Sequence, residues 1–265
     1  MIVVKEKVIH FDLISDLHID YWLPDQQLVW PGLGTSLVAV VAGDVSRSWA
    51  NTYDYLMMLR THYRHVIFID GNHEHDMQPG LKFHSDILHD KLAGVGNITY
   101  LHRNSIILDN VAFIGCNGWW TFDFAQPEFS IDQAWEILQS YGFTSSHQEE
   151  IIHTAKQDAQ TLVNIIKTFN TDPNVKKIVI VTHTAPQYQF RYITPGSSPV
   201  HYAKSGSSFL ANCLPYDTNK KIRAWCFGHC HTDTDQVVDG VRYVCHPRGR
   251  SEDGSVIYYP KLIEV

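Results

Sequence analysis

The chain has 265 residues, enough for one large domain or two small ones with a substantial buried core. Hydrophobic residues make up 44% and charged residues 18%, which excludes a disordered or fibrous chain. A formal charge of −7 gives no strong nucleic-acid signal, and no apolar run reaches the roughly 20 residues of a membrane span.

Residues 1–7 place charge where a secretory leader needs an apolar stretch. The five cysteines, Cys116, Cys213, Cys226, Cys230 and Cys245, are odd in number and lack the spacing of a disulfide scaffold. They read as reduced core thiols, and the chain as cytoplasmic. Cys226 and Cys230 have no second cysteine pair with which to build a zinc knuckle.

In chain order, residues 8–13 read as a strand that ends in Ser15-Asp16-Leu17-His18. Residues 36–41 form a continuous apolar run closed by Ala42-Gly43-Asp44, and residues 49–64 carry helical spacing. A third run, 66–69, is closed by Asp70-Gly71-Asn72-His73. The stretch 117–143 is irregular and rich in aromatics, among them Trp119 and Trp120. It is expected to begin a cap or lid inserted at about 117–170 in a single domain of residues 1–265; a pair of ordinary core helices is the alternative. Helical spacing returns over 148–169. The run 177–181 closes on Thr182-His183-Thr184, and 224–227 closes on Gly228-His229-Cys230-His231. Between them, a Pro- and Gly-rich loop from Phe190-Arg191-Tyr192 to Gly206 is expected to shape an opening. Short strands at 236–238, 241–246 and 256–259, separated by Asp239-Gly240 and Asp253-Gly254, suggest a closing antiparallel meander.

Apolar strands without polar alternation are covered on both faces, and their alternation with helices gives the α/β class. The terminal hairpins favour a mixed sheet, or two facing sheets, over one all-parallel sheet. Five of these strands end in short polar loops, and in such folds ligands bind beyond the carboxyl ends of the strands. The loops pool Asp16, His18, Asp44, Asn72, His73, His183, His229 and His231. Carboxylate, imidazole and amide oxygen together suit divalent metals such as Mn, Fe or Zn. They are too many for one tetrahedral ion and suit two ions bridged by a carboxylate. Each fragment alone is an ordinary turn or strand end; the five together, in order, are not.

The series Asp16-Leu17-His18, Gly43-Asp44, Gly71-Asn72-His73-Glu74, His183 and Gly228-His229-Cys230-His231 resembles the calcineurin-like metallophosphoesterases. The ending Cys245-His246-Pro247-Arg248-Gly249 looks like that of the small bacterial and phage members. The resemblance implies a four-layer sandwich of two facing mixed β-sheets flanked by helices. It implies a first metal on Asp16, His18 and His231, a second on Asn72, His183 and His229, and Asp44 bridging both. His73 would face the substrate as the catalytic acid, and a metal-bridging hydroxide would attack phosphorus. Arg47 stands where the phosphoprotein phosphatases of this superfamily carry a second Asp, and Asp70 where they carry an Arg. Both differences point to a small phosphorylated substrate, a nucleotide or other phosphodiester for preference. A nuclease and a non-catalytic metal-binding scaffold are the alternatives. Arg47, His75 and Trp119, with Trp120 beside it, are candidates to touch substrate. Glu74, Asp70 and Asp20 are candidates to orient the histidines.

Overall fold

The computed structural model describes residues 8–26, 35–75, 83–192, 197–252 and 257–265. The expectations for residues 1–7 and for the Asp253-Gly254 turn lie outside the described residues.

Among the described residues, eleven strands form two sheets. The first sheet contains β1 (His10–Ile14), β2 (Val38–Ala42), β3 (His65–Ile69) and β4 (Ile98–Tyr100), all parallel. Its other edge is the last strand, β11 (Lys261–Glu264), antiparallel to β1. The second sheet runs in the order β5 (Asn104–Leu108), β6 (Val111–Gly115), β7 (Lys177–Val181), β8 (Ile222–Phe227), β10 (Val241–Cys245), β9 (Thr234–Val238). Its four central strands are parallel, and both edge strands are antiparallel to their neighbours.

Strand composition explains the layering. The runs VAVVA, HVIFI and KIVIV carry almost no polar residue, so both faces of each strand need cover. Alternate residues supply the two faces. Phe11, Leu13, Val40 and Ile67 of the first sheet meet Phe113, Val179, Ala224 and Val244 of the second in a shared inner core. The opposite face of the first sheet packs on α1 (Trp49–Leu59) and α2 (Ser85–Leu92). The outer face of the second packs on the C-terminal half of α4 (Ser145–Thr171), through Leu162, Val163 and Ile166. The result is the expected four-layer sandwich of helix, sheet, sheet and helix.

A fourth cluster lies apart from these layers. Trp119, Trp120, Phe122 and Ala125 pack on α3 (Ile131–Ser140), on the first turns of α4 and on α5 (Pro199–Lys204). This aromatic body ends near Ala155; the remainder of α4 belongs to the main core. Within α4, buried Asp158 accepts from the Arg103 side chain (2.6 Å) and from the backbone N–H of Gly118 (2.8 Å), so the helix holds the loop that follows β6.

The C-terminal meander is only partly as expected. Asp239 and Gly240 both have positive φ, 52° and 84°, which is the geometry a two-residue turn needs to join β9 and β10. However, β10 leaves that hairpin to pair with β8 in parallel, and residues 257–260 are not a strand. The final strand instead crosses to the first sheet and joins β1. No helix among the described residues is long and apolar enough to cross a membrane.

The inner core makes a direct prediction. Phe113 is fully buried, with its ring edge-on to Phe11 at 5.4 Å. Phe113→Ala should lower unfolding free energy by about 3–5 kcal/mol in urea denaturation. A loss below about 1 kcal/mol would mean that the two sheets do not interlock there.

Candidate metal centre

The polar loops meet at one edge of the sandwich. Asp16 and His18 follow β1, Asp44 follows β2, Asn72 and His73 follow β3, His183 follows β7, and His229 and His231 follow β8. Backbone hydrogen bonds join the loops: Asp16 N–H donates to Gly43 O (3.0 Å), His18 N–H to Asp44 O (3.0 Å), and Gly228 N–H to His183 O (2.9 Å). Each aspartate gives one oxygen to a neighbouring loop. Asp16 Oδ1 accepts from His229 N–H and Asp44 Oδ1 from His73 N–H, both at 2.8 Å.

This closeness depends on glycine. A Cβ on Gly71 would stand 2.1 Å from Asp44 Oδ1, and one on Gly228 would stand 2.5 Å from Asp16 Oδ2. Asp16, His18, Asp44, His229 and His231 all have left-handed backbone, with φ between 45° and 67°. Each such residue costs roughly 1–2 kcal/mol, so the surrounding packing must impose it. Strain of this kind gathers at functional sites.

The side chains converge. His18 Nε2 and His231 Nε2 are 2.9 Å apart, and lie 4.0 and 3.6 Å from Asp16 Oδ1. Asp44 Oδ2 lies 3.2 Å from His183 Nε2, 3.8 Å from His18 Nε2 and 3.9 Å from His73 Nε2. Asn72 Oδ1 is 3.2 Å from His183 Nε2. Among the described residues, three overlapping groups are compact enough to hold a metal ion: Asp16 with His18 and His231, Asp44 with His183 and His229, and Asp44 with His18 and His73. Asp44 belongs to two of the three.

The ring tautomers test whether a cation fits. A carbonyl can only accept, so His183 must donate from Nδ1 to Ala42 O at 2.9 Å. In the neutral ring this leaves the Nε2 lone pair facing two oxygens, a repulsive arrangement that a proton on Nε2 or a cation in its place relieves. In the same way His229 donates from Nε2 to Lys204 O at 2.9 Å, which leaves Nδ1 as its acceptor atom. A ligand histidine typically gives its far N–H to such a carbonyl. Burial holds His229 and His18 well below the usual imidazole range, so they stay neutral, the form that binds metal. Burial works against a charge on His183 too, but the Asp44 carboxylate outweighs it and raises the ring to about 10. Asp16 Oδ2 is buried without a partner. The donor set and its orientation therefore fit divalent cations.

Other residues fall where the sequence did not put them. Glu74 touches no histidine of the cluster. Its carboxylate accepts from the backbone N–H of Gly71 (2.7 Å), Val45 (2.8 Å) and Asp44 (3.0 Å) and from the Thr52 hydroxyl (3.0 Å). It thereby clamps the loop after β2 to the loop after β3. Asp70 is engaged with His75 (2.6 Å) and the Tyr100 hydroxyl (2.7 Å) rather than with the cluster. His75 is buried, and its Nδ1 accepts from His84 N–H at 2.8 Å, so neither ring nitrogen faces the cleft. Trp119 is buried in the aromatic body. Trp120 is buried as well, with its ring stacked over His229 at 5.7 Å. Arg47 is exposed, its backbone N–H donating to Asp20 Oδ1 at 3.2 Å.

A cleft of about 530 Å³ opens beside the cluster. His73, His229 and His231 line it, together with Lys204, Arg250 and Tyr192. Of the loop expected at the opening, Tyr192 is therefore in place, whereas Phe190 is packed in the main core. Lys204 and Arg250 were not read from the sequence, because a lone Lys on a short helix and an Arg beyond a strand carry no motif. Arg250 Nη2 donates to His73 Nε2 at 3.3 Å, since a guanidinium has nothing to accept with. Burial pushes the Lys204 ammonium down to about 8.

The family model for calcineurin-like phosphoesterases matches residues 9–233. A phosphopantetheinyl hydrolase from Mycobacterium tuberculosis superposes with a TM-score of 0.69 at 17% identity, covering 94% of this chain and 92% of that one. A dimetal phosphatase from Danio rerio superposes with a TM-score of 0.48 at 14% identity, covering 90% and 87%. A viral protein of uncharacterised role, L509 of Acanthamoeba polyphaga mimivirus, is 21% identical over 72% of this chain and 70% of its own length.

The clamp and the close glycine make one prediction between them. Glu74→Gln should weaken metal binding by roughly 10–100-fold, as loss of a supporting hydrogen-bond shell does, and Gly71→Ala by at least as much. Metal titration followed by calorimetry measures both. Unchanged affinity in both variants would show that loop spacing does not set the site.

Proposed function

The chain belongs to the calcineurin-like phosphoesterase family of metal-dependent phosphoester hydrolases, and from that premise we propose that it hydrolyses small phosphodiesters, nucleotide derivatives among them, with two divalent cations. Asp16, His18 and His231 would hold one cation, Asn72, His183 and His229 the other, and Asp44 both. The convergence of five strand-end loops on Asp44 is the observation that carries this reading. Two cations at such a site lower the pKa of water and neutralise charge growing on the phosphoryl oxygens. Mn, Fe and Zn all suit this mixed nitrogen and oxygen set.

The protein's own groups supply the rest. The Ala42 and Lys204 carbonyls fix the tautomers of His183 and His229, so no reorientation is needed at the moment of reaction. His73 lies beside the cluster and borders the cleft. Burial lowers its pKa despite the nearby Asp44 carboxylate, and the neutral ring accepts from Arg250. The negative charge of an arriving phosphoryl group raises the ring's proton affinity. His73 would then take a proton from solvent on Nε2, giving up the bond from Arg250, and pass it to the departing alkoxide, a step worth roughly 10²–10⁴ in rate.

The cleft lining supports a diester: Leu138, Tyr141, Phe143 and Val200 give it apolar surface that suits an organic group on the phosphorus. Trp119 and Trp120 do not provide that surface. The formal charge of −7 gives a nucleic-acid backbone little to follow.

Reconstitution of purified protein with each metal, assayed on monoester, diester, cyclic nucleotide and oligonucleotide substrates, tests the reading. Chelation should abolish activity and added metal restore it. Turnover should favour bis(p-nitrophenyl) phosphate over p-nitrophenyl phosphate; activity on the monoester alone would overturn the diester preference. Strong, salt-weakened cleavage of single-stranded oligonucleotides would favour a nuclease, and metal uptake with no turnover a scaffold. His73→Ala should keep metal content near normal and lower kcat by roughly 10²–10⁴. Parallel loss of metal and activity would make His73 a ligand instead.

A further inference from the structure

Two cationic side chains line the cleft outside the candidate ligand set. Besides the metal cluster it is lined by Lys204 at the end of α5 and by Arg250 beyond β10. Among the described residues neither cation has a carboxylate within salt-bridge distance, although Glu252 lies at the rim. The Lys204 ammonium rests over the Trp120 ring at 4.7 Å and the Arg250 guanidinium over the Tyr21 ring at 5.1 Å. Aromatic faces hold a cation in place without neutralising it. Arg250 Nε is buried with no hydrogen-bond partner, so the side chain keeps donor capacity in hand. An unpaired, partly buried cation is unfavourable unless a ligand supplies the missing anion.

We propose that Lys204 and Arg250 form an anion subsite beside the metal cluster, which selects substrates carrying a second phosphate next to the reacting one. The inference rests on the functional reading above and narrows it. A phosphodiester phosphoryl bears one negative charge, which the cations held by the ligand set would meet. Lys204 and Arg250 supply two more positive charges from outside the ligand set. The substrate class that answers all of them is a phosphoanhydride or a phosphorylated diester, with its organic part along Leu138, Tyr141 and Phe143. Guanidinium suits this because its planar fork matches two phosphate oxygens, while the ammonium acts as a point charge. Lys204 is a specificity residue through its side chain alone, because the carbonyl that orients His229 is backbone and survives substitution.

The test uses two stable probes, methylenediphosphonate and methylphosphonate, titrated calorimetrically into the full chain, both metal-loaded and metal-stripped. In the loaded protein the diphosphonate should bind at least tenfold more tightly. Lys204→Met and Arg250→Gln should each cut that preference fivefold or more, with bound metal and circular dichroism unchanged. A ratio near one in the unmodified protein, or an unaltered ratio in both variants, would overturn the subsite. Metal content and ester turnover report separately on the metal-centre reading. If that reading alone is wrong, the diphosphonate preference and its dependence on Lys204 and Arg250 persist in the stripped chain.

Discussion

One hydrogen bond sets the logic of the site. His183 has a single proton to give in its neutral form, and the Ala42 carbonyl takes it at 2.9 Å. The remaining lone pair then faces Asp44 Oδ2 and Asn72 Oδ1, each 3.2 Å away. Positive charge between them, from a proton on Nε2 or from a cation that displaces it, relieves the repulsion.

The fold exists to hold that arrangement. Two sheets bring the carboxyl ends of β1, β2, β3, β7 and β8 to one edge, and the inner core keeps the sheets in register. Closeness between loops then comes from Gly43, Gly71 and Gly228, where any Cβ would strike a neighbouring backbone or carboxylate atom. Left-handed backbone at five of the clustered residues is the local penalty, and Glu74 is the clamp that helps to impose it. The support is backbone-directed: the carboxylate fixes where two loops run, and the loops fix where the ligands point.

Much of this was legible in the sequence, for physical reasons. Buried parallel strands read as unbroken apolar runs, so their ends are easy to find, and the polar residues just past them announce themselves. The clustered set was found in that way. What escaped depends on long-range packing. The last strand pairs with β1 across more than two hundred residues, and no local pattern encodes that choice. Aromatic residues look alike in a core and at a cleft, so sequence alone could only offer Trp119 and Trp120 as candidates for the substrate; both lie buried. His75 sits within a histidine-rich motif, yet its partners are Asp70 and His84, and the fold alone decides this. Lys204 and Arg250 escaped because single cations on unrelated segments have no spacing to recognise.

Metal-dependent chemistry at this edge requires cations in the space around Asp44. Diffraction from crystals grown with manganese, recorded at its absorption edge, measures this directly. It should give two anomalous peaks about 3.5–4 Å apart, with the Asp44 carboxylate between them and the two histidine groups on either side. No peak there, or a single peak away from Asp44, would contradict it.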